Sequence, residues 1–118
     1  MSSLGRQDRP QPSPASWFLT ITRRAEGGSL VVSAAGRLGS REASTLEAAL
    51  LAAADESRQV VLDLAEVDYI SSAGLHAIEL AAGRLQARNR SLVVRGAAGV
   101  TKLSLDLAGP LVNVIYQS

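Results

Sequence analysis

The stretch Asp68-Tyr69-Ile70-Ser71-Ser72-Ala73-Gly74-Leu75-His76 brings together two serines, the small residues Ala73 and Gly74, and the only histidine of the 118-residue sequence. Nucleophilic hydrolysis is the first chemistry to consider. Ser72 and His76 stand four residues apart and could share a helical face near Asp68 or Asp63, the residue types of a serine hydrolase. A nucleophile elbow needs G-x-S-x-G, however, and this serine is flanked as Ile70-Ser71-Ser72-Ala73-Gly74. A single histidine and no cysteine cannot anchor a typical metal cluster, so His76 reads better as a surface or half-buried helix residue. Phosphate-binding loops fare no better. Gly36-Arg37-Leu38-Gly39 and Gly96-Ala97-Ala98-Gly99 match neither G-x-G-x-x-G nor G-x-x-x-x-G-K-[ST], and Lys102 lacks the preceding glycine. These are turn glycines, and neither a catalytic residue nor a cofactor is expected.

Two uses remain for the serines. Ser71 or Ser72 can be an N-cap, its hydroxyl accepting a hydrogen bond from an orphan N–H and stabilising a helix by about 1 kcal/mol. The same junction is also where a phosphate is best tolerated, because free N–H donors and the positive end of the helix dipole face it. Ala73 and Gly74 are small and would let a partner approach.

The elements that must position these serines follow from the apolar pattern. Trp17 to Thr22 alternates Trp17, Leu19 and Ile21 against Phe18, Thr20 and Thr22. Leu30 to Ala35 is a second β-rich run, with Glu26-Gly27-Gly28 between the two, which predicts a hairpin. Ser40 or Ser44 can cap the next helix; Ser44 and Glu47 have capping-box spacing, and Ala43, Leu46, Leu50 and Ala53 form one stripe. Val60-Val61-Leu62-Asp63-Leu64 reads as a central strand buried on both faces. From Ser72 the pattern turns helical, with Leu75, Ile78, Ala82 and Leu85 on one face until Asn89-Arg90. This leaves Ser72, His76, Glu79 and Gly83 along its accessible flank. Ser91 to Arg95 is another strand, Val100, Leu103 and Leu107 mark a last helix ending near Gly109-Pro110, and Val112 to Tyr116 adds a short final strand. Strands alternating with helices predict a mixed sheet, parallel after the hairpin, packed against amphipathic helices.

Composition agrees with this α/β class. Apolar residues make up 47% of the chain but aromatics only 3%, so Ala, Val, Leu and Ile must fill the core and an aromatic ligand platform is not expected. Residues 1–15 hold three of the four prolines among polar residues and read as a disordered tail, leaving one domain over 16–118. Without cysteine the chain suits a reducing compartment; no apolar signal core or run of about 18 apolar residues is seen, and the cytoplasm is the expected location. A net charge of +1 offers no electrostatic case for nucleic acid, and Arg84, Arg88, Arg90 and Arg95 read as cations near a helix C-terminus.

The run Val60-Val61-Leu62-Asp63-Leu64 followed by Tyr69-Ile70-Ser71-Ser72-Ala73-Gly74-Leu75 resembles the signature of STAS domains, specifically the bacterial anti-sigma factor antagonists. The resemblance continues through Gly36-Arg37-Leu38, the Gly96 turn after Leu92-Val93-Val94-Arg95, and Val100 to Gly109 followed by Val114-Ile115-Tyr116, covering roughly residues 17–118. It implies a STAS fold and a non-enzymatic regulator that binds an anti-sigma factor, itself a serine kinase, until that kinase phosphorylates it. A serine phosphatase would reset the switch, ATP and Mg²⁺ would belong to the kinase, and the free antagonist would be a monomer without membrane insertion. By this resemblance the phosphoacceptor is Ser72, with Ser71 as the alternative. The partner would be met by Leu38, Gly39 and Ser40 together with Ser72, Ala73, Gly74, His76, Glu79 and Gly83. Family members often carry an acidic residue just after the G-x-L element and another just before the acceptor; here those positions are Gly39 and Ser71. A STAS subunit docked on an ABC-type lipid transporter complex is the alternative reading, because such subunits carry an S-A-G-L-like motif as well.

Overall fold

The computed structural model describes residues 19–117; the tail expected over residues 1–15, and Trp17 and Phe18 of the first predicted strand, lie outside them. β1 (Leu19–Glu26) and β2 (Ser29–Leu38) form the antiparallel hairpin, with Glu26 opposite Ser29. Its turn is therefore the pair Gly27-Gly28, and Gly27, at φ +60°, supplies the left-handed backbone that a two-residue hairpin loop requires. The chain then alternates α1 (Ala43–Ala54), β3 (Gln59–Ile70), α2 (Ser72–Ala87), β4 (Ser91–Arg95), α3 (Gly99–Ala108) and β5 (Val114–Gln117). The sheet runs β1-β2-β3-β4-β5, parallel from β2 onward, which puts β3 at its centre as the apolar run predicts.

β3 is longer than its apolar run, and the reason lies in its register. Ser33 pairs with Asp63 but Ala35 with Glu66, and Gly36 pairs with Val67 but Arg37 with Tyr69, so β3 twice carries one extra residue. Each bulge shifts the side-chain phase by one. Leu64, Val67 and Ile70, spaced by three, therefore all turn buried side chains to the core, and the strand reaches the serines. The main core packs Val60, Leu62 and Leu64 against Leu46, Leu50 and Ala53 of α1 and Ile78, Ala82 and Leu85 of α2. Each of the large aliphatics among them stabilises the fold by about 1.5–3 kcal/mol relative to exposure. Val31, Val61 and Val93 form a smaller cluster on their own, so β3 is buried on both faces. Across β1, β3 and β4, Arg95 reaches Glu26 at 2.8 Å and Asp63 at 3.3 Å. Arg95 and Arg24 hold the Glu26 carboxyl below its ordinary pKa, and Glu26 in turn raises that of Arg95.

Two local expectations are corrected. The Ser44–Glu47 capping box does not form: α1 starts at Ala43, its N-cap is Glu42 with no side-chain cap bond, and Ser44 sits inside the first turn. The turn is fixed instead by the backbone bond from Glu42 N–H to Gly39 O at 3.2 Å. In α3 the residues that mark the helix, Val100, Leu103 and Leu107, point outward at 59%, 56% and 79% exposure. Leu105 and Thr101 are buried instead, and the Thr101 hydroxyl donates to Val67 O at 2.8 Å, tying α3 to β3. Of the late arginines, Arg84 pairs with Glu47, Arg88 with Asp55 and Arg95 with Glu26.

Candidate functional site

At the end of β3 the two serines part in role. Ser71 has extended backbone (φ −90°, ψ 171°) and its Oγ accepts the N–H of Gly74 at 3.1 Å, so Ser71 is the N-cap of α2. Ser72 is the first helical residue, exposed, and its hydroxyl makes no hydrogen bond among the described residues. One serine folds the helix and the other is free at its positive end. The far end of α2 closes with Asn89 at φ +60°, the Arg90 N–H donating to Leu85 O at 2.8 Å and the Asn89 N–H to Gln86 O at 3.0 Å. That double bond is a Schellman cap, which holds the whole helix in register with its buried face.

The junction is clamped to the end of β2. Ser71 N–H donates to Leu38 O at 2.9 Å. A Cβ on Gly74 would stand 2.8 Å from that same oxygen, 2.9 Å from Leu38 Cγ and 3.0 Å from Ile70 Cγ1. Gly74 is therefore glycine because the helix lies directly on Leu38, which corrects the expectation that its small size serves a partner. Leu38 and Gly74 are both buried, so neither offers a contact surface; they hold the loop against the helix. Ser40, Ser72 and His76 are exposed, while Gly39, Ala73, Glu79 and Gly83 are half-buried. Toward the helix C-terminus the flank narrows. Glu79 Oε2 accepts Val112 N–H at 2.9 Å, and Gly83 faces the Asn113 side chain, so the segment before β5 covers part of it.

Sequence reasoning missed Glu42. It is 4% exposed, and its Oε1 accepts the Gly39 N–H at 2.9 Å. A Cβ on residue 39 would lie 2.8 Å from that oxygen, so the Glu42 carboxylate occupies the space a side chain at 39 would need. The loop thus has an acidic group after all, supplied three residues later. Its only sequence signal is the Gly39-to-Glu42 spacing that lets a carboxylate fold back on a glycine N–H. Beside it a cavity of about 420 Å³ is lined by Arg37, Gly39, Ser40, Arg41, Glu42, Tyr69 and Ser71. The Arg37 guanidinium lies 4.4 Å above the centre of the Tyr69 ring, its cross-strand partner.

Among the described residues no hydrogen bond links Ser72 to His76, Asp63 or Asp68. Asp63 accepts the Ala65 N–H at 2.9 Å and pairs with Arg95, and His76 is an exposed helix residue. Among the described residues no group of three acidic or histidine side chains could hold a metal ion, and no helix is long and apolar enough to cross a membrane.

A family model described as Mlab, STAS domain, matches residues 21–110. Over 77 residues the chain is 44% identical to BtrV of Bordetella bronchiseptica, a protein assigned as an anti-sigma factor antagonist; the match takes in 64% of this chain and 66% of that one. An anti-sigma factor antagonist from Mycobacterium paratuberculosis has a similar structure, with a TM-score of 0.69 at 27% identity over 84% of this chain and 83% of the other. The Bacillus cell fate determinant SpoIIAA in its phosphorylated form shares the fold at 10% identity, with a TM-score of 0.61 over 84% of this chain and 92% of its own.

Proposed function

The chain belongs to the STAS domain family, and from that premise we propose that it is an anti-sigma factor antagonist switched by phosphorylation of Ser72. The observation that carries this reading is the division of labour at the α2 N-terminus. Ser71 satisfies the Gly74 N–H, which frees the exposed Ser72 hydroxyl for modification. The relatives assigned as antagonists in Bordetella and Mycobacterium support the class of partner.

In this mechanism the unmodified chain docks on the anti-sigma factor through the loop of Gly39 and Ser40 and the α2 flank of Ser72, Ala73 and His76, with Glu79 and Gly83 at its edge. The partner supplies the kinase active site, ATP and Mg²⁺; this chain supplies the acceptor and does no catalysis. The Ser72 Oγ takes the γ-phosphoryl group, ADP leaves, and the hydroxyl proton passes to the kinase. The product adds about −1.5 to −2 charges at the positive end of α2, where folding tolerates it. In the interface the same dianion would be stripped of water, which costs several kcal/mol, and the partner is released. A serine phosphatase returns the chain to its binding form.

Incubation with an anti-sigma factor kinase and ATP, followed by tandem mass spectrometry, tests the acceptor. Phosphate on Ser72, lost in Ser72→Ala and kept in Ser71→Ala, is the expected result; phosphate elsewhere, or none, overturns it. The alternative reading, a STAS subunit held permanently on a transporter ATPase, draws on the outward apolar row Val100, Leu103 and Leu107. Co-purification with an ATPase, unaffected by Ser72→Asp, would favour it.

A further inference from the structure

We propose that Arg37 and Arg41 form an intramolecular receptor for the phosphoryl group on Ser72; the inference rests on that residue being the modified one. Both arginines line the cavity that opens beside the α2 N-terminus, together with Ser71, the immediate chain neighbour of the acceptor. Among the described residues neither pairs with a carboxylate, which is also true of Arg58 and Arg90, whereas Arg23, Arg24, Arg84, Arg88 and Arg95 do. Arg37 is held in place by its stack on Tyr69 instead of by a counter-ion.

Ser72 does not itself line the cavity but adjoins Ser71, which does, and neighbouring Cα atoms stand about 3.8 Å apart. A phosphate lengthens the Ser72 side chain, and arginines are long, planar cations suited to bidentate phosphate binding. The other charged group of the cavity is Glu42, whose Oε1 already accepts the Gly39 N–H. Two arginines and one carboxylate leave the lining at a formal +1, matched to a group that carries about −1.5 to −2. His76, one turn along α2, is the nearest titratable group on the helix itself. The phosphate would then sit between the β2–α1 loop and α2, joining the two segments of the proposed partner surface and holding the dianion at its centre.

Phosphoserine installed at position 72 by genetic encoding tests this without any kinase. Phosphorus NMR titration of the folded protein should give a second phosphate ionisation displaced downward, by about one unit, from the ordinary value of about 6. Most of that displacement should vanish in Arg37→Gln/Arg41→Gln and persist in Arg58→Gln, an exposed arginine at the other end of the sheet. Circular dichroism checks that each variant is folded. A midpoint the double substitution leaves unmoved overturns the receptor. The same samples, titrated against the anti-sigma factor, separate the two claims: release that persists without the arginines leaves the Ser72 switch standing while the receptor is judged by the midpoint alone.

Discussion

Ser71→Ala and Ser72→Ala should differ sharply in stability although the residues are adjacent and chemically identical. Removing the Ser71 hydroxyl leaves the Gly74 N–H without its acceptor at 3.1 Å, in a residue that is itself buried against Leu38 and Ile70. Loss of an N-cap costs about 0.5–2 kcal/mol, and burial of the orphaned donor places this case in the upper half of that range. For a domain of about 100 residues each kcal/mol lowers Tm by about 4–8 °C. Ser72 caps nothing and is exposed at the first helical position, where alanine is the better helix former by a few tenths of a kcal/mol. Its substitution should leave Tm unchanged or slightly raised. Thermal and urea melts of both variants decide the matter. Equal losses, or a larger loss for Ser72→Ala, would show that Ser72 is structural and remove the ground for treating it as a free acceptor.

Gly74→Ala forces a Cβ to within 2.8 Å of the Leu38 carbonyl oxygen, a backbone atom that cannot swing away, and should cost about 1–3 kcal/mol in a urea titration. Ile78→Ala, at a side chain with no exposed surface, should cost about 2–5 kcal/mol; a negligible change in Tm would mean that α2 buries a different face. Gly39→Asp should lower Tm and fail to speed phosphorylation, because its side chain would collide with the Glu42 carboxylate and add a like charge; a faster kinase reaction at unchanged Tm would contradict the role given to Glu42. Glu26 is held below its ordinary pKa by Arg95 and Arg24, so its pairs stabilise the fold above about pH 4.5 and are lost as pH falls through the lowered value. The Tm deficit of Glu26→Gln should be present at pH 7 and shrink as pH falls below about 4.5 through the lowered value, and a deficit independent of pH would show that the charge is not its source.

Much of this architecture is legible in the sequence because the patterns are local and mutually consistent. The Gly27-Gly28 turn, the Val60–Leu64 run and the Ile78, Ala82 and Leu85 face of α2 each match their element. The bulges of β3 are not legible, since they depend on pairing with β2 over a distance in sequence, and they carry the strand through the polar residues to Ile70. Capping preference misleads at Ser44 because Glu42 is drawn inward to Gly39 N–H, which moves the start of α1. Apolar periodicity identifies α3 but not its direction: Thr101 finds a buried acceptor in Val67 O, and that bond turns Val100, Leu103 and Leu107 to the outside. At the site, the serines are visible as a pair, but which one caps is settled only by the extended backbone of Ser71 and the position of Gly74 N–H.

A phosphate on Ser72 should remove the partner without unfolding the domain. Isothermal titration of the anti-sigma factor with unmodified and Ser72-phosphorylated protein, each with a thermal melt, measures both halves together. A desolvation penalty of about 3 kcal/mol corresponds to roughly a hundredfold weaker binding, with a Tm unchanged or slightly higher. Equal affinities for the two forms would contradict the switch, and a phosphorylated form that has lost its cooperative melt would contradict the placement of that charge at the helix terminus.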